Sequence, residues 1–205
     1  RSDATMQVPG AVMFSKGRMA GSGGGMTYNQ TTDVLSLTQD AHVTMADDAG
    51  ETVNEFTSST ATLARLDKYL SLQGNVKALR DEQVIEADQA LARLSDDQEH
   101  ITFIELRGNA RVAGGRLFDS MSAGDIDLDY TDDGATLERV TLRGDGRIAM
   151  RGDGEGESGR QFAGDSLDLT FAPDATLTGV VGRGNVRVAL PASGTGSARA
   201  PARAV

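Results

Sequence analysis

Residues 70–78 read Leu70-Ser71-Leu72-Gln73-Gly74-Asn75-Val76-Lys77-Ala78, and the arrangement returns around Gly108-Asn109, Gly144-Asp145 and Gly184-Asn185, with a degenerate first copy at Gln39-Asp40. Four residues before each pair stand Leu35, Leu70, Ile104, Val140 and Val180, and two before stand Leu37, Leu72, Leu106, Leu142 and Gly182. Two after come Ala41, Val76, Ala110, Gly146 and Val186, and four after come Val43, Ala78, Val112, Ile148 and Val188. The intervening positions are polar: Thr38, Gln73, Arg107, Arg143 and Arg183 on one side of the pair, His42, Lys77, Arg111, Arg147 and Arg187 on the other. Alternation with a period of two over about nine residues is the pattern of a half-buried strand. Its recurrence makes the chain a repeat protein with an all-β fold.

The period is about 35 residues, and it lengthens only between Gly144 and Gly184. Residues 152–159, reading GDGEGESG, explain the excess as a loop tip inserted between two strand patterns. A second alternating motif lies in the middle of the later repeats: Ala90, Ala92 and Leu94, then Ile126, Leu128 and Tyr130, then Leu167, Leu169 and Phe171. Each repeat thus holds at least two strands, or four short ones where the Gly-Asn pair marks a bend. Residues 79–95 are rich in Glu, Ala, Leu and Arg and would be helical on propensity alone. Their register match to the two clearer copies assigns them to a strand, because β propensity yields readily to context. Residues 1–10 are expected to fray, 11–190 to form one elongated domain, and 191–205, rich in Ala, Gly, Ser, Pro and Arg, to be a disordered tail.

With 39% hydrophobic residues, only 4% aromatics and no Trp, the core must be aliphatic. A net charge of −10 argues against a nucleic-acid partner, which needs a basic surface. The absence of cysteine excludes disulfides, thiolate metal sites and Cys nucleophiles. No apolar run reaches the length of about 18 residues that a helical membrane span requires. The chain opens at Arg1 without an initiator Met, as expected of a trimmed or mature fragment, which leaves room for a membrane anchor upstream of residue 1.

Catalytic chemistry is hard to assemble from these residues, and no cofactor or metal is expected. His42 occupies a recurrent outward strand position, and His100 follows Asp96-Asp97-Gln98-Glu99 in a turn with no second His at ligand spacing. Asp125, Asp127 and Asp129 share one strand face, which suits a solvated surface, a calcium site or a glycosidase-like carboxylate pair, though a flat strand supplies no cleft. Asp153, Glu155 and Glu157 match neither an EF-hand nor a calcium-binding nonapeptide. Gly21–Gly25 lacks the Lys-Ser/Thr of a phosphate loop. The basic rows remain. Arg107, Arg143 and Arg183, like Arg111, Arg147 and Arg187, should align across the sheet, either neutralised by interleaved acidic strands or free to contact phosphates of an anionic amphiphile.

Tyr69-Leu70-Ser71-Leu72-Gln73-Gly74-Asn75-Val76, then Ile85-Glu86-Ala87-Asp88-Gln89-Ala90, then Ile104-Glu105-Leu106-Arg107-Gly108-Asn109-Ala110-Arg111-Val112 form a succession that resembles the periplasmic lipopolysaccharide-transport, organic-solvent-tolerance A-like family. Phe14–Met19, Met26–Tyr28 and Asp33–Leu37 look like the edge strands of its membrane-anchored member. The resemblance implies an open β-jellyroll, a folded two-sheet shell of antiparallel strands, non-enzymatic and periplasmic. It implies a groove for the acyl chains of lipopolysaccharide, with edge-to-edge strand pairing between protomers or bridge partners. The groove-lining candidates are then Leu70, Leu72, Val76, Ile104, Leu106, Val112, Ile126, Leu128, Val140, Leu142, Ile148, Leu167, Leu169, Val186 and Val188, with the six arginines as phosphate contacts. The small residues Gly74, Gly108, Ala110, Gly144, Gly146 and Gly184 are expected either to leave room for alkyl chains or to permit bending and close packing. Two other classes compete: a structural β-solenoid with a filled core, and a calcium-dependent carbohydrate-active enzyme using the Asp125–Asp129 face.

Overall fold

The computed structural model describes residues 4–47, 49–80, 83–115, 117–152 and 158–190. Fourteen strands form one antiparallel sheet, so that each strand's peptide groups bond to its neighbours. They are β1 (Thr5–Lys16), β2 (Met19–Asn29), β3 (Val34–Leu37), β4 (Ala41–Ala46), β5 (Thr52–Ser58), β6 (Thr60–Ala64) and β7 (Tyr69–Arg80), followed by β8 (Gln83–Leu94), β9 (Ile101–Gly114), β10 (Phe118–Tyr130), β11 (Leu137–Arg151), β12 (Ser158–Phe171), β13 (Leu177–Arg183) and β14 (Arg187–Ala189). The helix-prone residues 83–94 are strand β8, as their register predicts. Residues 5–10, expected to fray, instead form the first half of β1, because Thr5–Pro9 pairs with Gly25–Asn29. The acidic residues of the insertion and the 191–205 tail lie outside the described residues.

Each Gly-Asn pair is a bend. Gly74 and Asn75 have φ of 78° and 51°, Gly108 and Asn109 of 73° and 51°, and Gly144 and Asp145 of 78° and 55°. Gly184 and Asn185 repeat it at 63° and 46°, and Asp40 of the degenerate copy sits at 48°. Glycine enters this left-handed region freely, and Asn and Asp tolerate it best among the other residues. The pairing slips there: Gln73 faces Gln89 and Val76 faces Ala87, so the Gly74-Asn75 pair opposes Asp88 alone. Two residues against one is a β-bulge, which kinks its strand. A Cβ on Gly108 would collide with the Asp88 carboxylate and one on Gly184 with that of Asp165, so side-chain space adds to the φ requirement.

Because the bends align, the sheet folds into two halves with the same strand order. One half runs through β3, β6, the parts of β7, β9 and β11 before their bends, the later parts of β8, β10 and β12, and β13. The other runs through β4, β5, the complementary parts of β7–β12, and β14. Strand β2 belongs to both, pairing with β3 through Met26–Asn29 and with β4 through Met19–Ser22. The inward residues of both halves form one apolar cluster. Their far margins also meet: the Phe118 and Phe171 rings are 5.7 Å apart at 82°, Arg80 Nη2 donates to the Gly134 carbonyl at 2.8 Å, and Arg18 Nη2 lies 3.3 Å from Glu99 Oε2. The result is an open-jellyroll-like sheet folded around an aliphatic interior.

Candidate functional site

The even-offset rows stay on the inward face through the bends, and the strand opposite each bulge takes up the change of phase: on β8, Asp88 and Gln89 both face outward between inward Ala87 and Ala90. Leu70, Leu72, Val76, Ile104, Leu106, Val112, Ile126, Leu128, Val140, Leu142, Ile148, Leu167 and Leu169 are all buried, none above 5% exposed. The space over two of the small inward residues is taken. A Cβ placed on Gly146 would meet Leu142 Cβ at 3.0 Å, and one on Gly182 would meet Val186 Cγ2 at 2.9 Å. Branched side chains from adjoining positions reach over the glycines, an effect that a residue-by-residue reading of size misses.

The C-terminal end differs. Val186 and Val188, the last two groove-lining candidates, are 48% and 55% exposed, and Leu190 is 70% exposed. Beside them Phe162, Leu177 and Val180 are half-buried and packed on the core cluster. The interior surface therefore reaches solvent at β13 and β14, the last strands of the two halves. At the opposite end β1 pairs only with β2 among the described residues and exposes Met6 and Met13.

The two arginine rows have different surroundings. In the first, Asp127 on β10 stands between β9 and β11, and both Arg107 Nη1 and Arg143 Nη1 donate to its carboxylate at 2.6 Å. Arg107 Nη2 also lies 2.6 Å from Glu105, and Arg183 Nη1 donates to Asp168 Oδ2 at 2.7 Å. This row is neutralised by interleaved acidic strands. In the second row Lys77 reaches Glu86 at 4.0 Å, while Arg111, Arg147 and Arg187 are exposed and have no ion-pair partner among the described residues.

The bond from Arg183 holds the Asp168 carboxyl below the usual 3.8, helped by Thr141, while burial opposes it. At Asp33 burial is the largest single influence and acts upward, but the bonds from Tyr28 and Lys16 and the charges of Lys16 and Arg65 together outweigh it and hold the carboxyl low. Burial pushes Asp129 the other way, with Asp127 adding to the rise and Arg139 opposing it. A depressed folded pKa contributes stability above the unfolded value near 3.8, and that stability is lost as pH falls through the folded value. Thermal melts between pH 6 and pH 2 should therefore show a loss of Tm below about pH 4 that Asp168→Asn makes shallower. An unchanged acid limb would remove Asp168 from this role. Asp129→Asn should behave oppositely, raising stability near neutral pH, where its carboxylate is penalised.

The three carboxylates of β10 do not converge. Asp125 Oδ1 accepts from the Gly108 amide at 3.1 Å, Asp127 holds the two arginines, and Asp129 pairs in register with Phe103 and Arg139. His42 Nε2 lies 3.0 Å from Glu55 Oε1 on the outer face. Asp97, Glu99 and His100 cluster in the β8–β9 turn, where Asp97 accepts from Ser95 Oγ and the Glu99 amide and Glu99 pairs with Arg18. The acidic loop residues Asp153, Glu155 and Glu157 lie outside the described residues.

Nothing in the repeat pattern announces the seam between the two margins. Arg80 stacks 4.2 Å from the Tyr130 ring centroid beside a cavity of about 270 Å³ lined by Asn54, Glu99, His100 and Gly134 among others. Arg80 Nη1 and Asn54 Oδ1 are buried there without hydrogen-bond partners. These residues recur in no other repeat, so alternation carries no signal for them.

No family model matches the chain, and no curated protein matches it. Among the described residues the arrangement is an aliphatic interior exposed at one end, flanked on the outside by one neutralised row of arginines and one in which Arg111, Arg147 and Arg187 make no ion pair.

Proposed function

We propose that the chain is a non-enzymatic, periplasmic scaffold that binds a lipopolysaccharide-type glycolipid by its acyl chains and passes it toward the outer membrane. The observation that carries this reading is the C-terminal end, where, among the described residues, the aliphatic row of the interior continues into exposed Val186, Val188 and Leu190. Each methylene withdrawn from water contributes about 0.8 kcal/mol, so several acyl chains bind without a specific polar contact. Because the deeper leucines are already packed, lipid enters at this end and advances as the two halves part along their seam. The free edge of β1 and the edge formed by β13 and β14 are the places where partner proteins or further copies add strands.

Binding of a lipopolysaccharide dispersion to the whole chain, followed by displacement of an environment-sensitive fluorophore, tests the reading. Val188→Asp places a charge on the apolar end and should weaken binding about tenfold with little loss of stability, since burying an unpaired carboxylate is costly. Equal binding by both proteins, or none by either, contradicts the proposed entry.

A second reading is favoured by one observation. Leu106, Leu142, Leu167 and Leu169 are 0% exposed, as in a structural β repeat whose core is permanently filled. Lipid binding by the unmodified chain separates the two.

A further inference from the structure

The two outer arginine rows share one spacing on the same strands, so their different surroundings can be traced to single residues. Register places Asp125 opposite both Arg107 and Arg143, and both arginines reach diagonally to bond Asp127 on the same strand. In the second row it places Ser122 between Arg111 and Arg147, and Ala163 between Arg147 and Arg187. Where β10 offers the first row Asp125 in register and Asp127 beside it, it offers the second only Ser122 in register, and β12 offers Arg147 and Arg187 only Ala163. Neighbouring arginines of this row are two strands apart, or about 10 Å, and repel one another with no carboxylate between them. Glu86 stands in register between Lys77 and Arg111, at the far end of the row from the trough, whereas near Arg147 and Arg187 Asp165 accepts from Asn185 and Asp145 sits in the bend. Between Arg147 and Arg187 the outer face sinks into a trough of about 480 Å³, floored by small residues such as Ser122, Ala149 and Ala163. Arg187 lies on β14 beside Val188, so the trough borders the end where the apolar interior is exposed.

We propose that Arg111, Arg147 and Arg187 bind the phosphate groups of a diphosphorylated amphiphile, with Arg147 and Arg187 as the principal pair across the trough. Guanidinium forks match phosphate oxygens in a bidentate fashion, and the floor of small side chains lets the head group approach the sheet. A strand's alternation puts Val188 toward the interior and Arg187 outward, so the acyl chains and the phosphates of one molecule meet opposite faces of the edge strand β14. The proposal rests on the glycolipid reading above and specifies how its head group is recognised.

The test uses the full chain and three probes: a synthetic diphosphorylated disaccharide lipid, the same lipid without phosphates, and inorganic pyrophosphate. Arg147→Gln/Arg187→Gln should weaken binding of the diphosphorylated lipid about tenfold or more at low salt, while the dephosphorylated lipid binds both proteins alike. The double variant Arg143→Gln/Arg183→Gln removes the same charge from the neutralised row and should leave the phosphate preference in place. Equal loss in both double variants, or none in either, overturns the assignment while leaving lipid binding intact. If neither lipid binds the unmodified chain, the glycolipid reading fails as well. If pyrophosphate then binds through Arg147 and Arg187, the trough serves a soluble phosphate and the amphiphile is overturned.

Discussion

Leu106→Ala lowers the unfolding free energy by about 3 kcal/mol, the largest effect expected from a single truncation in this chain. Leu106 is 0% exposed and faces the interior just before the Gly108 bend, where Ala90 of β8 and Ile126 of β10 flank it in the sheet. Truncation removes its transfer free energy and leaves a cavity that the neighbouring strands, fixed by their ladders, fill only in part. Chemical denaturation followed by circular dichroism measures the loss, with Leu79→Ala, at a 42% exposed position, as the comparison expected within about 0.5 kcal/mol of the unmodified chain. A loss below about 1 kcal/mol for Leu106→Ala would mean that the two halves are not packed together in solution.

Asp127→Ala should cost about 2 kcal/mol and lower Tm by roughly 4–8 °C. The Asp127 side chain is 12% exposed and is bonded by Arg107 and Arg143 together, so its removal takes away the carboxylate that both arginines bond and leaves between them only Asp125, which accepts from the Gly108 amide. The cost stays below that of a fully buried pair because those arginines are 33% and 53% exposed and water screens them. Asp127→Asn keeps an acceptor in place and should lose about half as much. A calorimetric scan that finds Asp127→Ala as stable as the unmodified chain would remove the clamp from the account.

The strands and their inward faces were legible because alternation is a local property written five times. Even the bend was visible, since Gly-Asn and Gly-Asp are the pairs that enter the left-handed region at low cost. Which acid meets which arginine was not. Asp125, Asp127 and Asp129 share a face, and register sets Asp125 opposite both arginines, but the side chains reach diagonally past it and both hold Asp127. The same information separates the two basic rows, which look alike when their repeats are aligned. Thr5–Gly10 was misjudged for a related reason: composition at a terminus says little when a partner strand supplies the hydrogen bonds. The Arg80 seam joins residues far apart in sequence that no repeat duplicates, so it emerges only once the sheet is folded.

Under the proposed function, acyl chains occupy the space between the two halves of the sheet. Photo-crosslinking tests it most directly, with a benzophenone side chain placed in turn at Val186, Leu106 and the outward Thr57, in the presence of lipopolysaccharide. The account predicts lipid adducts at Val186 and at Leu106 and only background at Thr57. Background labelling at both inward positions would contradict it and leave a filled, structural β-sheet repeat.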